Sequence, residues 1–182
     1  MRVSLEEFEA ACLQCQCCDL AKERKHVVIS RGHPSARLMV IGEAPGADED
    51  AQGRPFVGRS GRLLDACLTE VGLDRADDTY ICNLIKCRPP GNRRPSPAEL
   101  KACRPWLDRQ ILEVNPEILF ILGATAAATL LECRTPISRL RGHWSEWKGR
   151  YVMPSFHPSY LLRNPSREPG KPRSLFMADL TL

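Results

Sequence analysis

The chain has 182 residues, of which 43% are hydrophobic and 26% charged, with a formal net charge of +4. That balance fits one globular domain over residues 1–182 and excludes global disorder. No run approaches the about 20 apolar residues of a membrane-spanning helix. The opening MRVSLEEFEA carries acids where a signal peptide is apolar, so a cytoplasmic protein with no membrane partner is expected. Nine cysteines in such a chain do not suit a disulfide framework, because the cytosol keeps thiols reduced.

In chain order, Ser4-x-x-Glu7 has the capping-box pattern and opens a helix over 4–17 with Phe8, Ala11 and Cys12 on one face. Residues 37–42 read as a buried strand that stops at Gly42, and 43–59 as a loop. Ser60 caps a helix that carries Leu64, Cys67, Leu68 and Val71 and ends at Gly72. A second strand covers 80–83, followed by an Arg/Pro loop over 86–97. Ser96-Pro97-Ala98-Glu99 is a second capping box, with proline at the first helical position, and its helix runs to about 113. A third strand at 117–122 leads through Gly123 into an alanine-rich helix. A fourth strand at 151–153 precedes the loop with His157 and Pro158. Alternating strands and helices predict an α/β protein: a three-layer α/β/α sandwich around a central four-stranded parallel sheet. Ligands bind beyond the carboxyl ends of such strands, which directs attention to 42–58, 83–94 and 155–163.

Those loops hold the candidate chemistry. Cys15 and Cys18 form a C-x-x-C pair, and Cys87 and Cys103 flank the Arg/Pro loop. Such thiolates suit zinc or an iron–sulfur cluster, although spacing alone leaves Cys87 and Cys103 equally readable as small buried residues. Glu43 follows Gly42 on a glycine-bounded turn with Ala44, well placed to meet a ligand or simply to be solvated. Phe56 lies between glycines as an exposed ring for stacking on a base, or as a plug that anchors the loop. Asn83 offers a donor and an acceptor to a nucleobase edge, or forms a turn. His157 can donate to a developing anion, though a lone histidine is more often chemically silent. Residues 86–109 carry seven Lys/Arg against two acids, and 139–173 carry eight against two. Basic loops of that kind, Arg88 and Arg93 among them, fit contact with a phosphate backbone.

Taken in order, Cys15-x-x-Cys18, Gly42-Glu-Ala-Pro-Gly46, Gln52-Gly-Arg-Pro-Phe-Val-Gly58, Asn83, Lys86-Cys-Arg-Pro-Pro90, Cys103-Arg-Pro105, Leu140-Arg-Gly142 and His157-Pro158 resemble the family 4 uracil-DNA glycosylases, the iron–sulfur type. The resemblance spans about residues 12 to 165. It implies a DNA repair enzyme that flips uracil out of single- or double-stranded DNA and hydrolyses its N-glycosidic bond, leaving uracil and an abasic site. It implies a structural [4Fe–4S] cluster on Cys15, Cys18, Cys87 and Cys103, with Cys12-x-x-Cys15 as an alternative pair. By the same resemblance Phe56 stacks on the flipped base, and Asn83 reads it together with the backbone of Gly42 to Ala44. His157 donates to the departing uracil, and Glu43 orients or activates water. Crowding near Glu49 excludes thymine, and Leu162 or Arg163 fills the gap left in the duplex. Cys82 stands where many relatives carry threonine. Glu43 separates the chain from a related family that lacks the polar residue there. The second loop, without histidine, separates it from a covalently trapping relative. A monomer is expected.

Overall fold

A computed structural model describes residues 5–182; Ser4 of the first capping box lies outside the described residues. Six strands form one sheet: β1 (Ser30–Gly32), β2 (Leu38–Gly42), β3 (Thr79–Asn83), β4 (Ile118–Leu122), β5 (Ser145–Trp147) and β6 (Arg150–Ser155). Their order is β1-β3-β2-β4-β6-β5. The four central strands are parallel, while β1 and β5 add antiparallel to the two edges. The expected four-stranded parallel sheet is therefore corrected to a six-stranded mixed one. The central strands are buried on both faces and read as near-continuous apolar runs, which is why the sequence betrays them.

Alternate residues face opposite layers. Met39, Ile41, Tyr80, Cys82, Leu119 and Ile121 pack with α4 (Pro97–Val114) and α5 (Ala124–Leu131). Val40, Ile81, Phe120 and Met153 pack with α3 (Arg59–Glu70), α7 (Pro158–Arg163) and α8 (Pro172–Thr181). The first helix, α1 (Leu5–Leu13), is shorter than expected. Its Phe8 and Cys12 pack with Val27 and Ile29 against Trp106 on the outer side of α4. Two short helices, α2 (Ala47–Gln52) and α6 (Ile137–Leu140), lie in stretches expected to be loop or left unassigned.

The capping box at Ser96 forms as read: its Oγ accepts from the Glu99 amide at 3.2 Å, and Glu99 accepts from the Ser96 amide at 2.7 Å. Among the described residues no helix is long and apolar enough to cross a membrane. Because β3 and β4 lie on opposite sides of β2, the connections diverge at its carboxyl end, where Gly42 and Glu43 emerge.

Candidate functional site

Gly42 and Asn83 end paired strands side by side in register. A Cβ on Gly42 would lie 2.4 Å from the Asn83 Oδ1 and 2.5 Å from the Phe56 Cζ. Only a hydrogen at this position lets the amide and the ring close in together. Phe56 is 6% exposed, which corrects the expectation of an exposed ring. It takes a left-handed φ of 54°, a costly conformation for an aromatic residue.

The neighbours hold Phe56 in place. Arg31 donates from Nε to the Pro55 carbonyl at 2.9 Å and from Nη2 to Asp65 at 2.5 Å. A Cβ on Gly61 would strike the Phe56 carbonyl, so α3 packs directly on this backbone. Glu49 ties the two halves of the loop: its carboxylate accepts from the amides of Gly46 at 3.0 Å, Val57 at 3.0 Å and Gly58 at 2.8 Å.

Of these residues Gly46, Glu49, Phe56 and Asn83 line a cavity of about 270 Å³ together with Glu43, Ala44 and His157. Asn83 is 2% exposed, and its Oδ1 has no hydrogen-bond partner among the described residues. A buried acceptor left unpaired costs about 1–3 kcal/mol, which a ligand N–H would recover. The ring centroids of His157 and Phe56 are 5.9 Å apart. His157 Nδ1 accepts from the Ser159 amide at 3.1 Å, so in the neutral ring the proton sits on Nε2. Burial pushes its pKa down to about 4, with the Arg163 charge adding to the effect. The imidazole is therefore neutral near pH 7. Glu43 also lines a neighbouring groove of about 510 Å³, shared with His157, Thr125, Arg94, Tyr160 and Arg163. Its carboxylate has no partner among the described residues.

The structure brings Gly42, Glu43, Ala44, Phe56, Asn83 and His157 to one site. The other candidates are dispersed. Arg93 lines the same cavity, but it clamps Glu99 through two bonds of 2.9 and 2.6 Å, which hold that carboxyl down at about 2. Arg88 bonds Asn92 at 2.7 Å and borders neither cavity. Leu162 is half-buried on α7, and Arg163 is exposed at the rim of the groove. Sequence reasoning did not single out Arg94, which is exposed on that rim, or Arg141. Arg141 is paired with the fully buried Asp179, which also accepts from the Ser155 Oγ at 2.5 Å. Arg141 thereby braces the end of β6 two residues before His157. Its place in a Leu-Arg-Gly run was the available signal.

A second, small cavity of about 10 Å³ shares no lining residue with the first. Cys12, Cys15, Cys17, Cys18, Cys87 and Cys103 line it. Three of the four expected ligands accept N–H···S bonds: Cys15 from Trp106 Nε1 at 3.2 Å, Cys87 from Arg24 Nη1 at 3.4 Å and Cys103 from the Lys86 amide at 3.3 Å. Cys12 is fully buried among apolar side chains, and burial raises its thiol to about 12. Burial raises Cys103 to about 11. Among the described residues no three His, Cys, Asp or Glu side chains converge on a single-ion position. By the chemistry of the donor set, soft thiols ringing one cavity fit an iron–sulfur group.

A family model described as the uracil DNA glycosylase superfamily matches residues 29–181. The chain is 46% identical to a type-4 uracil-DNA glycosylase of Thermotoga maritima over 85% of its length and 81% of the relative's. It is 40% identical to the type-4 enzyme of Sulfurisphaera tokodaii, over 90% of this chain and 78% of that one. Similarity to a type-5 uracil-DNA glycosylase of Thermus thermophilus is lower, 33% over 70% of this chain and 67% of the relative. The family match covers every residue that lines the first cavity, and the chain belongs to the uracil-DNA glycosylase superfamily and, within it, to the type-4 uracil-DNA glycosylases.

Proposed function

We propose that the protein excises uracil from DNA by hydrolysing the N-glycosidic bond, with residues 1–182 acting as one catalytic unit and the N-terminal segment as its cluster-binding part. The observation that carries this reading is the orphaned Asn83 Oδ1 in a cavity that also holds Phe56, His157 and Glu43. A uracil in the duplex stack is out of reach, so it must be flipped into that cavity. There its N3–H would donate to the Asn83 Oδ1, and its O4 would accept from the Asn83 amide. Cytosine offers a bare N3 and a 4-amino donor, so it would leave both groups of Asn83 mispaired. Phe56 would stack on the ring, and the backbone of Gly42 to Ala44 would line its edge. Glu49, by holding the loop, would keep the wall rigid against the methyl group of thymine.

As the C1′–N1 bond breaks, its electron pair moves onto uracil and charge gathers on O2. His157, neutral and protonated on Nε2, would donate a hydrogen bond to that oxygen, a contact worth about 3 kcal/mol. Glu43 would take the proton of the water that attacks C1′, yielding an abasic sugar and the uracil N1 anion; the anion would take up a proton and Glu43 would release its own, so that the net reaction is hydrolysis. Its negative charge would also offset the positive sugar in the transition state. The groove beside the cavity, rimmed by Arg94 and Arg163, suits the phosphate backbone. Leu162 or Arg163 at the end of α7 would occupy the vacated stack.

Cys15, Cys18, Cys87 and Cys103 would hold a [4Fe–4S] cluster. When bound, it would supply a covalent clamp between the N-terminal segment, the 84–95 loop and α4. A cytoplasmic monomer acting on single- or double-stranded DNA completes the reading. Chromatography of free uracil released from uracil-containing DNA tests it. The wild type is expected to release uracil, and Asn83→Leu to lose the release while keeping its fold. Equal release by both proteins would refute the role of Asn83.

A further inference from the structure

Lys86 stands out among the groups that the reaction leaves unused. It is 1% exposed, between the buried Ile85 and Cys87. No carboxylate pairs with it among the described residues. Its Nζ donates to the backbone carbonyl of Asn83 at 2.6 Å, and its own amide donates to the Cys103 Sγ at 3.3 Å. It therefore links the two cavities: it lines the cysteine cavity and grips the backbone of Asn83, whose residue lines the other. Arg24 is the other cation on the cysteine cavity, and its guanidinium donates to the Cys87 Sγ at 3.4 Å. One acid also lines that cavity, Glu99, but Arg93 neutralises it.

A buried cation needs a counter-charge, and this fold provides no carboxylate for Lys86. Four thiolates around a [4Fe–4S] core leave a doubly negative group, and net charge and hydrogen bonds to sulfur are what tune such a group. We infer that Arg24 and Lys86 together balance the charge of the cysteine-held cluster, and that Lys86 transmits this anchorage to Asn83, making it a positioning residue for uracil recognition. The inference rests on the cluster and the uracil reading proposed above. Of the two cations only Lys86 also bonds Asn83; Arg24 bonds Cys87. That asymmetry separates a charge effect from a positioning effect.

The test compares wild type, Arg24→Met, Lys86→Met and Lys86→Arg as purified holoproteins. Three quantities are read: the midpoint potential of the cluster, the rate of iron loss to a chelator, and the inhibition constant of free uracil alongside KM and kcat. Removing either cation disfavours the more negative, reduced cluster. Both Met variants are therefore expected to shift the potential to more negative values and to lose iron several-fold faster. Lys86→Arg, which keeps the charge, is expected to hold the potential near that of the wild type. Lys86→Met alone is expected to weaken uracil inhibition and raise KM about tenfold, the scale of one lost hydrogen bond, with a smaller change in kcat.

Equal effects of Lys86→Met and Arg24→Met on uracil inhibition would overturn the positioning role. An unchanged potential in Arg24→Met would overturn the charge-balancing role, and that variant decides this point even if Lys86→Met does not fold. A wild type that is colourless or inert on uracil would instead refute the underlying reading.

Discussion

Replacing Gly42 with alanine tests the architecture of the cavity with a single methyl group. The added Cβ would lie 2.4 Å from the Asn83 Oδ1 and 2.5 Å from the Phe56 Cζ, and ordinary contact requires about 1 Å more on each side. Both backbones are held, so the two side chains must yield by turning into the cavity that they line. Asn83 is anchored through its carbonyl by Lys86, and Phe56 is anchored through its backbone by Gly61 and Arg31. Overpacking of this kind costs about 1–3 kcal/mol of stability. A displacement of about 1 Å at a reacting site costs about 100-fold in rate. Gly42→Ala is therefore expected to remain folded at 25 °C with a lowered Tm, while kcat/KM on a uracil oligonucleotide falls about 100-fold. Single-turnover excision and thermal unfolding, measured on the same preparation, give both numbers. Near-wild-type excision would refute the claim that Asn83 and Phe56 together form the base-reading surface. A loss of excision matched by global unfolding would refute the claim that the damage is local.

Four further outcomes follow from the contacts of His157, Arg141 and Cys103. The folded His157 pKa, about 4, lies below its ordinary value, so the imidazole stays neutral as pH falls through 6.5 and charges only near 4. The pH profile of excision should show no acid limb near 6.5 that His157→Ala removes; such a limb would contradict the neutral-donor role. Burying that neutral ring also costs stability below pH 6.5, where the unfolded chain takes up the proton, and thermal unfolding should show this down to about pH 4. Arg141→Ala leaves the fully buried Asp179 without its cation, with only the Ser155 hydroxyl still donating to it among the described residues, and should cost about 3–5 kcal/mol, or about 10 °C in Tm, with much of it recovered on also replacing Asp179 by leucine. Cys103→Ala should yield protein without absorbance near ~400 nm and with an N-terminal segment cut rapidly by trypsin, since the clamp to α4 is lost; retained brown colour would show that Cys103 is not a ligand.

The sequence made the central strands and their outgoing loops legible, because buried parallel strands are long apolar runs and their ends are marked by Gly42, Asn83 and Gly123. The edge strands were not legible. Ser30-Arg31-Gly32 and Ser145-Glu146-Trp147 are too short to show a period of two, and only pairing with β3 and β6 makes them strands. Helix α2 reads Ala-Asp-Glu-Asp-Ala-Gln, with no apolar face. Tertiary contacts hold it: Glu49 reaches the loop amides, and Asp50 accepts from the amides of Lys25 and His26.

The site residues were legible by type and position, their environments only in part. Burial of Phe56 depends on a left-handed backbone beneath Gly61, a contact that no local pattern encodes. Arg93 reads as a free cation in a basic loop, yet the capping box that orients Glu99 also presents that carboxylate to it. Lys86 reads as one more basic residue, although its setting between Ile85 and Cys87 was the sign of a buried charge.

The central claim is that this cavity selects uracil and that Glu43 and His157 break its glycosidic bond. Matched oligonucleotides carrying one uracil, thymine or cytosine, treated with the protein and then with alkali, test it most directly. The account predicts strand cleavage only at uracil, with rates reduced at least about 100-fold in Glu43→Ala and His157→Ala. Cleavage at cytosine or thymine, or undiminished cleavage by either variant, would contradict it.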